Sequence, residues 1–514
     1  MSQSFNFGFG SVPPGARRIE PEDPFKILVV ADFSGRDSRG ERSDSATLAG
    51  LTPLRVEVDT LEDAMARMDV RLKIDLDGSP IEFHATSLDD FHPDSLYRKI
   101  DLFRRLKDLR TQLANPSTYP EAAREVRGWL GLDQHSSANA PAASSNAPSA
   151  PEPDAASDIE RLMGRPMTSP EQAPKAGVQD AVSRLIKATI GPTAPSAPPD
   201  QAALIAAIDR ATSAEMRRLL HHPSFKELEA AWRGVHFLLT RLETDETLGV
   251  WIVDVARMEA AIDLLSQEDP SRSGLHRLLA DKPTSTPGMT PWSLIVLPEV
   301  FRARAADAGV LARWAGIAQA GGAALLAGAS EHLFACPALP KHADPAEWTR
   351  ALDEEAAPLW GALREFPASR HVALATPRFL LRRPYGPDSD PIDLFEFTEI
   401  DPSQYLDPDR HNDYLWASSS FVLAVLLGRA FRHEGWSFAA GHGGEVDGMA
   451  YHSWRDTGVG VALPAAEAWL TTRAGDAIEK AGLCPILSVK GRDAVQVARV
   501  QSLAGTPLAI GPSD

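Results

Sequence analysis

The stretch QHSSANAPAASSNAPSAPEPD, Gln134 to Asp154, constrains this chain more than any other feature, because no packed core can run through it. Small polar residues broken by proline bury too little apolar surface to offset the entropy lost on ordering, so the stretch reads as an extended linker. A second such run, GPTAPSAPPD, spans Gly191 to Asp200. Between them lie two helix-like islands, ASDIERLMG and VQDAVSRLIKATI, too short to be stable unless docked on something else. The chain is thereby expected to divide into an N-terminal arm (1–24), a first folding segment (25–133), a linker region (134–198) and a second segment (199–514). With 514 residues, 43% of them hydrophobic and 24% charged, there is material for more than one core.

The first segment reads as a small α+β unit. FKILVVADF, Phe25 to Phe33, is an apolar run rich in β-branched residues and ended by Ser34 and Gly35, which predicts a buried strand. In VRLKIDLDGSPIEFHA the apolar residues alternate through Val70, Leu72, Ile74 and Leu76, break at Asp77 and Gly78, and alternate again through Ile81, Phe83 and Ala85. That pattern predicts a hairpin. Leu96, Ile100, Phe103, Leu106, Leu109 and Leu113 then share one helical stripe that would cover the sheet.

The second segment opens with two helices. Leu204, Ile205, Ile208, Met216, Leu219 and Leu220 recur at largely helical spacing until Pro223 stops the first. In LHHPSFKELEAAWRGVHFLL, Ser224 and Glu227 predict a capping box for the second, and Phe225, Leu228, Trp232, Val235 and Leu239 form its apolar seam. Arg233 lies about 100° around the helix from Trp232 and can reach a carboxylate at a helix boundary or on a neighbouring subunit. PWSLIVLPEVF, ARAADAGVLARWAGIAQAGG and AALLAGAS read strand, helix, strand, an arrangement that needs a parallel sheet covered on both faces. HVALATPRFLL and WSFAAG read as further strands. The expected fold class is α/β, a small α+β domain joined by a disordered linker to a larger α/β domain.

An α/β reading invites an enzyme hypothesis, but the chain supplies little for one. No Gly-Lys pair occurs, so there is no Walker A loop. GVGVAL, Gly458 to Leu463, has leucine where the third glycine of a dinucleotide loop belongs. GHGGE, Gly441 to Glu445, resembles an esterase oxyanion loop with His442 as base, yet the G-x-S-x-G nucleophile elbow is missing, and a glycine-rich turn explains the run as well. His221 and His222 are adjacent at a helix end and diverge, so they do not share a metal comfortably. Cys336 and Cys484, without companions at metal spacing, suit a reducing cytosol.

A net charge of -18 disfavours nucleic acid and anionic membranes as partners. The longest apolar run, FVLAVLLG, is too short to cross a bilayer, and the first residues lack the pattern of a signal peptide. The expectation is a cytoplasmic protein with protein partners, no nucleic acid, no direct membrane insertion, and no catalytic, cofactor or metal site.

Several of these stretches carry a resemblance. LHHPSFKELEAAWRGVHFLL, PWSLIVL, AALLAGASEHLF, SRHVALATPRFLLRRPYGPDSDPIDLFEF, YLWASSSF and GWSFAAGHGGE, in that order, resemble the large contractile sheath subunit (TssC/VipB-like) of the bacterial type VI secretion system. ILVVADFSGR, EDAMARMDVRLKIDL and LDDFHPDSLYRKIDLFRRLKDLR are similar to its small sheath subunit (TssB/VipA-like). The resemblance implies a small subunit fused through a linker to a large one. It also implies structural work, in which subunit pairs polymerise around an inner tube, on a baseplate, and contract. It marks PRFLLRRPYG, Pro377 to Gly386, as a recurrent signature, so that Arg378 and Tyr385 join Phe225, Leu228, Trp232 and Arg233 as assembly or packing residues.

The resemblance further implies a disassembly ATPase of the AAA+ class as partner for the first island, where Ile159, Leu162 and Met163 form a small apolar stripe. The large-subunit part ends about ten residues after ARVQSLA, where family members usually continue for on the order of 100 residues. A partner that supplies strands in place of that C-terminal region is therefore expected. The alternatives are a sheath-end or baseplate adaptor that does not polymerise alone, and an α/β nucleotide-binding or hydrolytic enzyme.

Overall fold

The computed structural model describes residues 18–76, 78–130, 182–186, 201–456 and 458–511. Its strands in chain order are β1 Phe25–Ala31, β2 Leu54–Val56, β3 Val70–Leu76, β4 Ser79–Ala85, β5 Leu248–Asp254, β6 Leu294–Phe301, β7 Ala324–Ala329, β8 Val372–Thr376, β9 Phe379–Leu380, β10 Trp416–Ala417, β11 His442–Val446, β12 Ser453–Asp456, β13 Val459–Ala462, β14 Cys484–Ser488 and β15 Val495–Arg499. Nine of them form one sheet in the order β11-β15-β14-β8-β7-β6-β1-β5-β2. The six from β14 to β5 run parallel, and antiparallel strands close both edges.

The first segment therefore contributes a central strand to the sheet of the second. β1 pairs in parallel with β5 along its whole length, Phe25 opposite Leu248 through Ala31 opposite Asp254, and on its other side with β6 from Ile27 opposite Leu294 to Val29 opposite Val296. Its alternation places Phe25, Ile27 and Val29 in the core on one face, and Leu28 and Val30 in the core on the other. Hence the run has no polar face: a parallel strand at the centre of a covered sheet is buried on both sides. The linker divides the sequence, whereas the sheet runs across the division.

The helices used below are α1 Pro93–Lys99, α2 Asp101–Ala114, α3 Tyr119–Leu130, α4 Gln201–His221, α5 Pro223–Leu239, α6 Ala305–Gly321 and α7 Ser420–Glu434. On the face with Phe25 and Val29 lie the hairpin β3–β4 and helices α1 to α5 and α7; α6 covers the opposite face. α5 and α7 cross at Gly234, where a Cβ would overlap the Phe421 ring. Residues 182–186, from the second island, also join the first core through Val182, Leu185 and Ile186.

Local expectations fare unevenly. The β3–β4 hairpin forms with the register the alternation implies. The stripe from Leu96 to Leu113 is buried but is two helices, because Ile100 adopts an extended backbone between α1 and α2. Pro223 does more than stop α4. It is the first residue of α5, pre-set for helical φ, and the cap is His222, whose Nδ1 accepts the Ser224 amide at 3.3 Å. Ser224 is thus not the cap. WSFAAG is not a strand: Gly435–Ser437 form a 3-10 turn, and Trp436 and Phe438 pack around the Phe25 ring. The strand is instead HGGEV, an edge strand paired with β15: Gly441 lies in the turn that leads into it, while Gly443 and Gly444 belong to the strand and form no oxyanion loop.

Burying the five apolar side chains of β1 is worth about 1.5–3 kcal/mol each, a gross sum comparable with the about 5–15 kcal/mol that stabilises a whole domain. The two segments are thus expected to behave as one unit after the linker is cut. Proteolysis at a site introduced within residues 134–154 should leave both pieces in a single size-exclusion peak; separation into two monodisperse species would contradict the shared sheet.

Candidate functional site

Helix α5 presents Glu229 and, one turn later, Arg233, whose Nε donates to Glu229 Oε1 at 2.7 Å. The signature PRFLLRRPYG leaves the carboxyl end of β8 and passes this helix, bringing Arg382 against the same carboxylate. Arg382 Nε donates to Glu229 Oε1 at 2.8 Å, while Nη1 and Nη2 donate to Glu399 Oε2 and Oε1 at 2.7 and 3.1 Å. Glu399 Oε2 also accepts the Tyr385 amide at 2.8 Å, and the Tyr385 hydroxyl accepts from Arg233 Nη2 at 3.2 Å. Two arginines and two glutamates thus form a charge-balanced cluster in which both carboxylates and the Arg382 guanidinium are buried.

Electrostatics agree with this pairing. Burial pushes the Glu229 carboxyl up, but Arg382 and Arg233 more than reverse it and hold the group below its usual range. Burial opposes the charge on Arg382 too, yet Glu229 and Glu399 keep its pKa well above the usual value. Burial raises the Tyr385 phenol, which stays protonated. Nearby, Arg378 grips Glu467 through its amide and guanidinium at 2.8 and 2.9 Å and reaches Asn412 Oδ1 at 3.1 Å. Burial acting on Glu467 is overcome by Arg378 and His411, which bring it down to about 2.

The same region joins the two segments. Phe225 sits against Phe83 and Phe91 of the first segment, with ring centroids 5.4 and 5.6 Å apart. Trp232 donates Nε1–H to the Phe33 carbonyl at 2.8 Å and meets the Phe33 ring edge-on at 5.0 Å. His92 meets the Tyr385 ring at 5.0 Å, and Asp94 accepts the amides of Asp393 and Leu394 at 3.1 Å each. The aromatic seam and the signature therefore meet at one intramolecular junction.

Of the residues singled out by sequence, Phe225, Leu228, Trp232 and Tyr385 are buried, and Arg378 lies along the same signature. Arg233 finds its carboxylate on its own helix, four residues back. Ile159, Leu162 and Met163 lie outside the described residues. Glu229, Arg382 and Glu399 escaped the sequence reading. The E-x-x-x-R spacing of Glu229 and Arg233, and an arginine set in the apolar run RFLLRRPYG, were the available signals. The cluster is built to hold segments together: its carboxylates are spent on arginines and amides. His442 is exposed on the edge strand, and among the described residues no group of three His, Cys, Asp or Glu side chains is placed to hold a metal.

Comparison with known proteins gives two matches along the chain. Residues 202–504 match the VipB family, described as EvpB/VC_A0108, tail sheath N-terminal domain, and residues 12–131 match a family described as Type VI secretion system, VipA, VC_A0107 or Hcp2. The chain is 30% identical over 307 residues to the type VI secretion system sheath protein TssC1 of Pseudomonas aeruginosa, covering 58% of this chain and 60% of that protein. It is 30% identical over 103 residues to the sheath protein TssB1 of the same organism, covering 19% of this chain and 58% of that protein. It thus spans less than two thirds of the length of either relative.

Two outcomes test the cluster and the titratable groups around it. Arg382→Met should cost about 3–5 kcal/mol, because it strands Glu229 and Glu399 without compensation; a denaturation midpoint near wild type would show that the cluster does not brace the junction. Acid should act in two stages. Burial outweighs Asp413 and, with Lys226 and Arg382, lowers His221 to about 4, whereas an unfolded histidine titrates near 6.5. The unfolded chain takes up that proton first, so stability falls as pH drops from about 6.5 towards 4. Glu467, held at about 2 against an ordinary 4.5, adds a second loss below pH 4.5. Melting temperatures between pH 7 and 4 should fall less steeply in His221→Gln; an identical slope would assign the first stage to other groups.

Proposed function

Because the chain belongs to the VipB tail sheath family and carries a VipA-type segment in the same polypeptide, we propose that it is a structural subunit of a type VI secretion contractile sheath in which small and large subunit are one chain. The observation that carries this reading is the position of β1. A strand of the VipA-type segment, bonded on both sides by strands of the VipB-type segment, makes the pair a single rigid building block. Such a block suits a polymer under load, where the halves must not part before the contacts between blocks do.

On this reading its partners are other sheath subunits, whether further copies or a protein supplying additional strands, together with an inner tube protein and a baseplate. Its place is the cytoplasm, and no helix among the described residues is long and apolar enough to cross a membrane. A AAA+ disassembly ATPase would engage the stripe of Ile159, Leu162 and Met163 by helix-in-groove binding.

Electron microscopy of the purified protein, alone and with the proteins encoded beside it, tests the proposal. Filaments or rings of regular diameter are expected. A chain that stays monodisperse at high concentration in every combination would overturn it.

A further inference from the structure

β5 belongs to the second segment, yet both of its neighbours belong to the first. β1 runs parallel to it, Phe25 opposite Leu248 through Ala31 opposite Asp254, and β2 runs antiparallel along its other edge, Leu54 opposite Ile252 through Val56 opposite Val250. β1 and β2 are thus the arms of a split hairpin, and β5 fills the gap between them. Their connection, residues 32–53, begins and ends beside the carboxyl end of β5. It therefore passes from one side of β5 to the other around the point where the second segment leaves the sheet.

Three carboxylates on the departing chain fasten that connection. Asp254 accepts the amides of Phe33 and Ser34 at 2.8 and 3.0 Å. Glu259 accepts the Ser43 amide at 2.5 Å and lies 3.5 Å from Arg36 Nη1. Asp263 accepts the Ser45 hydroxyl together with the amides of Gly274 and Leu275, the latter two at 2.9 Å. Glu259 and Asp263 are buried, which strengthens hydrogen bonds to a charged acceptor. Beyond Ser45, the short helix Ser45–Gly50 buries Leu48 in the core that holds Leu275 and Leu278. Gly274 permits this approach, since a Cβ there would lie 2.2 Å from the Ser45 carbonyl oxygen. On β2, Arg55 Nη2 donates to the Asp245 carbonyl at 2.8 Å, just ahead of β5, and Val56 shares the opposite core with Val250 and Ile252.

We infer that the VipA-type segment binds its partner through a strand slot closed by a latch: β5 is the recognised strand, and residues 32–53 with β2 must open before the two segments can part. An edge strand peels away from one side, but β5 is bonded on both sides by the same segment. β1 runs straight into the latch at Phe33 and Ser34, so it stays in place while Asp254 holds those amides. β2, three residues long with one neighbour, is the element that opens first. The inference concerns a single pair and does not rest on the sheath reading.

The test follows exchange between pairs. Full-length protein cut at a site introduced within residues 134–154 is mixed, when dilute, with the same cut protein labelled with nitrogen-15, and native mass spectrometry counts hybrid pairs over time. Wild type should form hybrids only over hours. Leu48→Ala, which loosens the latch, should speed hybrid formation by about tenfold or more, because contacts broken on the way to separation act on its rate. Ile486→Ala removes a fully buried side chain of equal size from β14, away from the latch, and should leave the rate close to wild type. Ser45→Ala, which strips only the hydroxyl bonded to Asp263, repeats the test with a milder change and should also speed exchange. Equal acceleration by Leu48→Ala and Ile486→Ala would overturn the latch, since separation would then follow overall stability. Wild-type pairs that mix at once, pieces that separate on cutting, or no acceleration in either latch variant would overturn it too.

Discussion

The two ladders that hold β1 between β5 and β6 are what the rest of this structure depends on. Remove that strand and the parallel sheet splits into two incomplete sheets whose exposed edges and faces are apolar. Around it, each later interaction between the segments is an extension of the same seam. Asp254, at the end of β5, accepts the amides of Phe33 and Ser34 just beyond β1, and Trp232 takes the Phe33 carbonyl. At the amino end of β1, Phe25 lies among Phe431, Trp436 and Phe438. Both ends of one strand are thus fixed by the other segment.

The buried charge cluster complements this apolar seam. Hydrophobic packing sets distance but tolerates sliding, whereas Arg382 held bidentately between Glu229 and Glu399 admits one arrangement only. Such a cluster contributes little net stability compared with apolar residues of the same volume, because desolvation offsets most of the attraction. Its contribution here is positional: it fixes where the signature loop crosses α5, and through Tyr385 and His92 where the first segment meets both.

How much of this was legible follows from the range of the interactions involved. The β3–β4 hairpin and the helical hairpin α4–α5 are written in local periodicity and in single residues such as Pro223, so they are read correctly to within a cap. The run FKILVVADF announces a strand buried on both faces, but nothing local says that its neighbours lie more than two hundred residues away. WSFAAG alternates as a strand does, yet its rings serve to cover Phe25. HGGEV looks like a loop because of its glycines, yet it pairs with β15 as a strand, and it approaches that neighbour so closely at Gly443 that a Cβ there would collide with the Val497 carbonyl. The family resemblance marked the signature as recurrent; only geometry supplied Arg382, Glu229 and Glu399, and the pairing of Arg382 with Glu229 joins residues 153 positions apart.

The order of strands also sets a schedule. β1 leaves the ribosome near the start of synthesis, but β5 and β6 follow more than two hundred residues later, and at roughly 5–20 residues per second the strand waits about ten to forty seconds for its neighbours. During that interval the VipA-type segment carries a hydrophobic strand with both edges bare. A pair made from two separate polypeptides would face the same exposure for as long as its halves took to meet. Fusing them turns an encounter into a countdown, and makes nascent-chain protection over the stretch between Ala31 and Leu248 part of what this protein asks of the cell that makes it.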